Sequence, residues 1–303
     1  MNILVTGSNG LVGSALIPVL TAEGHRVSRL VRSKSNLGIR DTFWDPAAGE
    51  LYSPPLEGLD GVVHLAGESI ADGRWSKARK ARIRESRVQG TRLLSGSLAR
   101  LVHPPKVLIS ASAIGYYGDR GQEILSEQAH PGSGFLAGVC QDWEAAVQPA
   151  PERSIRVVTL RTGIVLSPVG GALARMLLPF RMGVGGVVGS GKQYMSWITI
   201  DDMIRIILYA LKIETLRGPV NAVAPKPVTN AEFTRILGRV LSRPTVLPMP
   251  GFAARLAFGE IANELLLSSA RVVPAKLEAS GFVFRHPDLE TALSSLLGVA
   301  KAA

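Results

Sequence analysis

The chain has 303 residues, 46% apolar and 19% charged, which suits one large α/β domain or a large and a small lobe and excludes a disordered chain. No run approaches the roughly 18 consecutive apolar residues of a membrane helix, and the start MNILVTG lacks the basic-then-apolar pattern of a signal peptide, so a cytoplasmic protein with no membrane partner is expected. Cys140 is the only cysteine, which excludes an internal disulfide and a multi-thiolate metal site, whereas the net charge of +10 raises the question of an anionic partner.

Short β-branched runs alternate with helical patterns through the first half, the signature of βαβ units. Strands are predicted near 2–6, 26–31, 61–66, 106–112 and 155–161, with a short additional one at 41–44, and helices near 11–23, 75–101 and 136–147. Right-handed crossovers then give a Rossmann-type doubly wound parallel sheet. Pro/Gly-rich punctuation at 166–192, 218–227 and 243–251 marks a different second half. There YMSWIT reads as a strand, 201–212 as a helix and PVNAV as a strand able to return to the main sheet. The expected organisation is a dinucleotide-binding domain over 1–165 with 200–225 returning to it. Residues 166–199 and 226–303 form a smaller, mostly helical substrate lobe.

The first strand runs directly into GSNGLVG, and a helix carrying Leu11, Val12, Leu16, Val19 and Leu20 follows at once. At such a junction Gly7 permits a tight turn, Gly10 lets backbone N–H groups reach a pyrophosphate and Gly13 allows close helix–strand packing. Gly7, Ser8, Asn9, Gly10, Leu11 and Val12 are therefore candidate cofactor contacts. The second strand ends RLVRSKS with no acid for a ribose diol, while Arg32, with Ser33 and Lys34 nearby, suits the 2′-phosphate of NADP(H).

The strand ending GVVHLAGES brings Leu65, Ala66 and Gly67 to the same crevice, with His64 inside the strand as a core histidine. Farther on, RWSKARKARIRESRVQGTR over 74–92 holds eight Arg/Lys against Glu85 alone. A solvated helix face is the plain reading; nucleic acid is an unlikely partner because only Trp75 offers a stacking surface. Ile83, Arg87, Gly90, Leu94 and Leu98 share one helix face, so Arg87 points toward the sheet and needs either a cofactor oxygen or an internal carboxylate. Cys140, with no activating base beside it, reads as packing.

Several segments together resemble the sugar-nucleotide epimerase-like family of extended short-chain dehydrogenases/reductases, with its C-terminal domain of uncharacterised function. They are GSNGLVG, HLAGESI, RWSKARK, ESRVQGT, SASAIGYYG, FLAGVCQDWE, LRTGIVLSPVGGAL, GSGKQYMSWITIDD, NAVAPKPVTNAEF, RPTVLPMP and GFVFRHPDLETAL. The resemblance spans almost the whole chain. It implies NADP contacts from the glycine loop, Arg32, Leu65, Ala66 and Arg87, and adds Arg82. It also implies a catalytic Tyr-x-x-x-Lys pair, yet FLAGVCQDWE falls there, with Phe135 and Val139 at the two positions. Ser112, in SAS at 110–112, matches the substrate-binding serine, and Tyr117 is a candidate replacement phenol.

In GSGKQYMSWITIDD, Lys192, Gln193, Tyr194 and Trp197 are candidates to face a ligand, while Asp202 reads as a helix anchor. The stripe Phe233, Ile236, Leu237, Val240 and Leu241 reads as packing. The expected function is an NADP(H)-dependent oxidoreductase or epimerase acting on a small polar or nucleotide-sugar substrate. The alternative is an NADP(H) sensor with weak turnover that acts through a partner. A homodimer is a further expectation, by analogy with the fold.

Overall fold

The run Asn2–Thr6 (β1) sends Ile3 and Val5 to one side and Leu4 to the other, and all three are buried. A strand buried on both faces belongs inside a parallel sheet covered by helices. In the computed structural model, which describes residues 1–34, 37–52 and 56–299, β1 lies at the centre of that sheet.

In chain order there follow α1 (Leu11–Ala22), β2 (Arg26–Val31), β3 (Asp41–Asp45), β4 (Glu50–Leu51), β5 (Gly61–His64), α2 (Lys77–Ala99) and β6 (Val107–Ala113). Next come a 3-10 turn at Ile114–Tyr117, β7 (Ile124–Leu125), α3 (Phe135–Ala145), β8 (Arg156–Thr162), β9 (Ile164–Ser167) and α4 (Gly171–Arg181). The remainder comprises β10 (Tyr194–Met195), β11 (Trp197–Thr199), α5 (Ile200–Lys212), β12 (Gly218–Ala222), β13 (Val228–Thr229) and α6 (Asn230–Val240). It ends with α7 (Gly251–Phe258), a π turn at Ala262–Leu266, β14 (Arg271–Val272), α8 (Ala275–Ala279) and α9 (Leu289–Leu297).

The main sheet runs β12-β8-β6-β5-β1-β2-β3-β4, parallel throughout except where β4 folds back on β3. The strand order reverses between β1 and β5, and the crevice at the carboxyl ends of those two strands is where a doubly wound sheet takes a ligand. Ile3, Val5, Val63 and Ile109 pack on the α1 and α5 side, while Leu4, Val62 and Leu108 pack on the α2 side with Leu94 and Leu98. Each such side chain contributes about 1.5–3 kcal/mol on burial.

The expected elements of the first half are present, and PVNAV pairs in parallel with β8. The region read as Pro/Gly punctuation also holds regular structure: β9 pairs with β11, and α4 begins at Gly171. In α6, Phe233, Leu237 and Val240 are buried and Ile236 packs against the core, as does Leu241 just past the helix end. Of the lobe expected over 226–303, residues 300–303 lie outside the described residues. No helix among the described residues is long and apolar enough to cross a membrane.

Candidate functional site

The glycine loop is built against the exit of β5. Gly7 has φ +68°, a left-handed conformation, and a Cβ there would fall 2.7 Å from the Leu65 carbonyl carbon and 2.8 Å from the Ala66 nitrogen. Gly13, one turn into α1, is equally closed: its Cβ would lie 2.3 Å from the Gly7 oxygen. Any larger residue at either position would lift the loop off the strand ends. At the start of α1, Gly10 supplies no capping side chain and the first turn holds no acid, so the orphan amides and the positive helix end remain available to an anion. Asn9 and Gly10 are exposed there, Ser8 is buried, and Leu11 and Val12 are half-buried. Leu11 also abuts the Gly170–Gly171 turn.

A buried hydrogen-bond chain fixes the crevice floor. The Thr6 hydroxyl accepts from the Leu65 and Ala66 amides, each at 3.1 Å, which leaves its own proton for His64 Nδ1 at 2.7 Å. His64 Nε2 must then carry the imidazole proton and donate to the Thr91 hydroxyl at 2.9 Å, where the Trp143 indole also donates at 2.9 Å. Complete burial pushes the His64 pKa down to about 4, so the ring is neutral at pH 7. It positions backbone and has no open face for proton exchange with a ligand.

The cofactor-directed cations stand at the rim. Arg32 follows the end of β2 and is exposed, and Lys34 lies over the Phe43 ring at 4.5 Å. Arg87 is half-buried against Gly67, whose Cβ would lie 3.3 Å from the guanidinium carbon, and it stacks on Trp143 at 5.0 Å. Its NH1 donates to the Ile83 carbonyl at 3.0 Å. Among the described residues no carboxylate pairs with Arg87, so the internal-acid alternative has no partner here. Burial lowers the Arg87 pKa from its ordinary value, as expected of a cation without a close counter-ion. Arg82 is exposed and stands 3.6 Å from Glu68, which Arg79 also engages at 2.8 Å. The basic segment is thus not a uniformly solvated face. Lys80 pairs with Glu260, Arg84 with Asp142, and Arg74 donates to the Leu256 carbonyl.

Beyond β6 the start of α3 packs on the turn that follows the strand. A Cβ on Gly115 would lie 3.3 Å from Leu136 Cβ and 3.7 Å from Cys140 Sγ. Residues i and i+4 share a helix face, so the pair turned toward the β6 exit is Leu136 and Cys140, one residue on from Phe135 and Val139. Phe135 instead meets Trp75 edge-on at 5.1 Å, with Lys80 over its ring, and Val139 is buried. Neither pair holds a phenol or an ammonium, and no lysine occurs between Lys106 and Lys192. Burial pushes the Cys140 thiol up to about 11, which accords with a packing role.

Ser112, buried one residue before the end of β6, lies beside Arg161 in the strand register. Its hydroxyl donates to Glu144 Oε1 at 2.8 Å, and Arg161 grips the same carboxylate through Nε and NH2, both at 2.8 Å. Sequence reasoning missed this pair, although an arginine inside the apolar strand VVTLRT is a signal that a buried acid must face it. Burial disfavours the Arg161 charge, but its bonds to Glu144 and the carboxylate's field outweigh that and raise its pKa overall.

Tyr117 does not sit open to a ligand. It is fully buried, its hydroxyl donates to Asn221 Oδ1 at 2.7 Å and accepts from Arg161 at 3.0 Å, and burial raises its pKa. A phenol so enclosed lacks both access and acidity, so the replacement-phenol expectation gives way to a structural role. Tyr116, half-buried, lies with its ring 3.5 Å from the Arg161 guanidinium.

Among the later candidates, Trp197 is buried and bonds the Lys226 carbonyl, and Gln193 is buried with its amide on Val188 and Leu266. Neither faces a ligand. Lys192 is exposed and half-buried Tyr194 stacks with Arg271 at 4.8 Å. Asp202 is completely buried; Thr199 caps α5, while Asp202 accepts the Arg285 and His286 amides, each at 2.8 Å. No group of His, Cys, Asp or Glu among the described residues is arranged to hold a metal.

Comparison with known proteins agrees with this fold. The NAD dependent epimerase/dehydratase family pattern matches residues 3–221, and a domain of unknown function, DUF1731, matches residues 249–296. The chain is 45% identical over 291 residues to an epimerase family protein of Mycobacterium bovis, covering 96% of each. It is 36% identical over 300 residues to the human epimerase family protein SDR39U1, covering 98% of this chain and 100% of that one. Among solved structures, the human protein crystallised with NADPH superposes with a TM-score of 0.90 at 34% identity, covering 98% and 99% of the two chains. A Corynebacterium glutamicum nucleoside-diphosphate sugar epimerase gives 0.82 at 40% identity, covering 98% of this chain and 58% of that one.

Proposed function

Because the chain belongs to the NAD dependent epimerase/dehydratase family, we propose that it binds NADP(H) across the β1–β5 crevice. It then acts as an oxidoreductase or epimerase on a small polar, nucleotide-sugar-like substrate without the usual Tyr–Lys pair. The observation that carries the cofactor reading is the closed Gly7–Gly13 loop seated on the Leu65–Ala66 backbone at an uncapped helix start. The human relative crystallised with NADPH, similar over its whole length, supports the same choice.

Gly7, Ser8, Asn9, Gly10, Leu11 and Val12 would hold the pyrophosphate, Arg32 the 2′-phosphate, and Leu65, Ala66, Gly67 and Arg87 the ribose side, with Arg82 at the rim. When bound, NADP(H) supplies the hydride acceptor or donor. This chain contributes orientation and proton handling. The Ser112 hydroxyl proton is committed to Glu144, so Ser112 meets a ligand hydroxyl as an acceptor, and Arg161 holds the Glu144 carboxylate in place. A proton released by a substrate hydroxyl can move to Ser112 Oγ as the serine proton moves to Glu144. With no phenol or ammonium on the facing side of α3, turnover slower than in Tyr–Lys members is expected.

That same absence favours a second reading, an NADP(H) sensor that acts through a partner. Fluorescence titration with NADPH and NADH, followed by a panel of nucleotide sugars and small carbonyl compounds, separates the two. NADPH binding with turnover that Ser112→Ala and Glu144→Gln abolish supports the enzyme. NADPH binding with no turnover on any compound supports the sensor, and equal or absent binding of both cofactors removes the shared premise.

A further inference from the structure

Residues 250–265, α7 and most of the π turn after it, leave the body of the protein and return to the same place. Before them Met249 is clamped on the segment 187–189: its amide donates to the Val187 carbonyl at 2.8 Å and its carbonyl accepts the Gly189 amide at 2.9 Å. After them the Leu266 carbonyl accepts from the buried Gln193 side chain at 3.1 Å, and Leu267 lies 2.7 Å from where a Cβ on Gly189 would stand. Two feet on one short segment make the excursion an Ω-type loop. Little apolar surface holds it down. Within it only Ala254, Ile261 and Ala262 are buried, whereas Phe252 and Leu256 are 72% and 77% exposed.

Among the described residues, the far side of this loop is tied to the rest of the chain at three places, all at the starts of α2 and α3. Arg74, just before α2, donates to the Leu256 carbonyl at 2.8 Å, and Lys80, in the first turn of α2, pairs with Glu260 at 2.8 Å. Glu264 accepts the Phe135 and Leu136 amides that open α3, at 3.3 and 3.2 Å. Gly134 makes room for that contact, since a Cβ there would lie 2.8 Å from Glu264 Oε1. The helix after β5 is α2 and the helix after β6 is α3, and these strands are neighbours in the sheet. A loop tied to both helix starts therefore spans the mouth above the two strand ends, where Leu65, Ala66 and Ser112 stand.

We propose that residues 250–265 are a flap over the cofactor and substrate crevice, which opens about its feet on 187–193 and is latched shut by Glu264 on the start of α3. The inference rests on the reading that NADP(H) lies in that crevice. Such a flap keeps water out during hydride transfer and lifts for ligand exchange. Its latch is weak by construction. Long hydrogen bonds to a half-buried carboxylate and a partly solvated ion pair each contribute little, so the flap opens while the core strands stay formed.

Native-state hydrogen exchange of the full-length protein, read by mass spectrometry, and stopped-flow fluorescence of NADPH test this together. Without cofactor, the helical amides of 250–265 should exchange by local opening, well before those of β1, β5 and β6. Glu264→Ala should speed that exchange roughly threefold to tenfold and Lys80→Met about twofold, with the three strands unchanged. Glu264→Gln, which keeps one acceptor oxygen, should fall between Glu264→Ala and the wild type. Glu264→Ala should also raise the NADPH association and dissociation rates together, leaving the dissociation constant within about twofold. Exchange in 250–265 as slow as in β1 overturns the inference, because the segment is then a fixed wall. NADPH rates that stay constant while the exchange rises also overturn it, because the loop then opens without gating the site. If the wild type binds no NADPH, the cofactor reading fails and the gating role with it, while the exchange measurement, which uses no cofactor, still decides whether the segment opens.

Discussion

An imidazole sealed inside a strand carries a pH signature that a solvated one lacks. His64 is fully buried between Thr6 and Thr91, and its pKa falls from about 6.5 to about 4. Above about pH 6.5 the ring is neutral whether folded or unfolded and adds no pH dependence. As pH falls toward 4 the unfolded chain takes up a proton that the native ring refuses, so stability drops, by about 3 kcal/mol in total, and levels off below. Urea denaturation of the wild type and His64→Gln across this range checks it: the stability difference between them should shrink by about that amount as pH falls, and a constant difference would falsify the assignment. His64 was legible as a core residue because it interrupts an apolar strand. Tyr117 and the Glu144–Arg161 pair were not. Two adjacent tyrosines at a strand exit differ only in which one turns inward, and no local pattern joins residue 144 to 161.

For the elements, the β1–α1 junction makes the sharpest demand. Glycine inside a helix normally costs about 0.5–1 kcal/mol relative to alanine. Gly13→Ala should nevertheless destabilise the protein, by about 2–4 kcal/mol, because the new methyl would collide with the Gly7 carbonyl, which cannot move without lifting the loop from Leu65. Gly138 in α3 is the control: nothing lies within 4 Å of its would-be Cβ, so Gly138→Ala should stabilise by about 0.5–1 kcal/mol. Thermal melts of the two variants should shift in opposite directions, and a matching shift would mean that packing at the loop does not decide the sign. Strands and helices of the first half were readable because each is a continuous apolar run or a clean helical stripe. In contrast, α4 was hidden, since Gly170, Gly171 and Pro179 look like breakers although two of them form the helix start and the third sits near its end.

Across the whole molecule, the C-terminal segment is fastened to the sheet by carboxylates that accept backbone amides far away in the chain. Asp202 takes the amides of Arg285 and His286, and Glu264 takes those of Phe135 and Leu136 at 3.3 and 3.2 Å. Lys80 and Glu260 add a charge pair between the same regions. These ties left no trace in the sequence, because an acid that receives amides from another element has no periodicity and no fixed spacing. Their strengths should follow exposure. Asp202 is completely buried, so Asp202→Ala strands the two amides it accepts, at a cost of about 3 kcal/mol, while Arg205, 40% exposed, turns to solvent. Glu264 is half-buried and its truncation should cost about 1 kcal/mol. Lys80 is 31% exposed and its partner 42%, so Lys80→Ala should cost well under about 1 kcal/mol. Urea unfolding of the three variants tests the order. A loss in Lys80→Ala as large as that in Asp202→Ala would mean that the exposed pair, rather than the buried carboxylate, holds the C-terminal segment to the sheet.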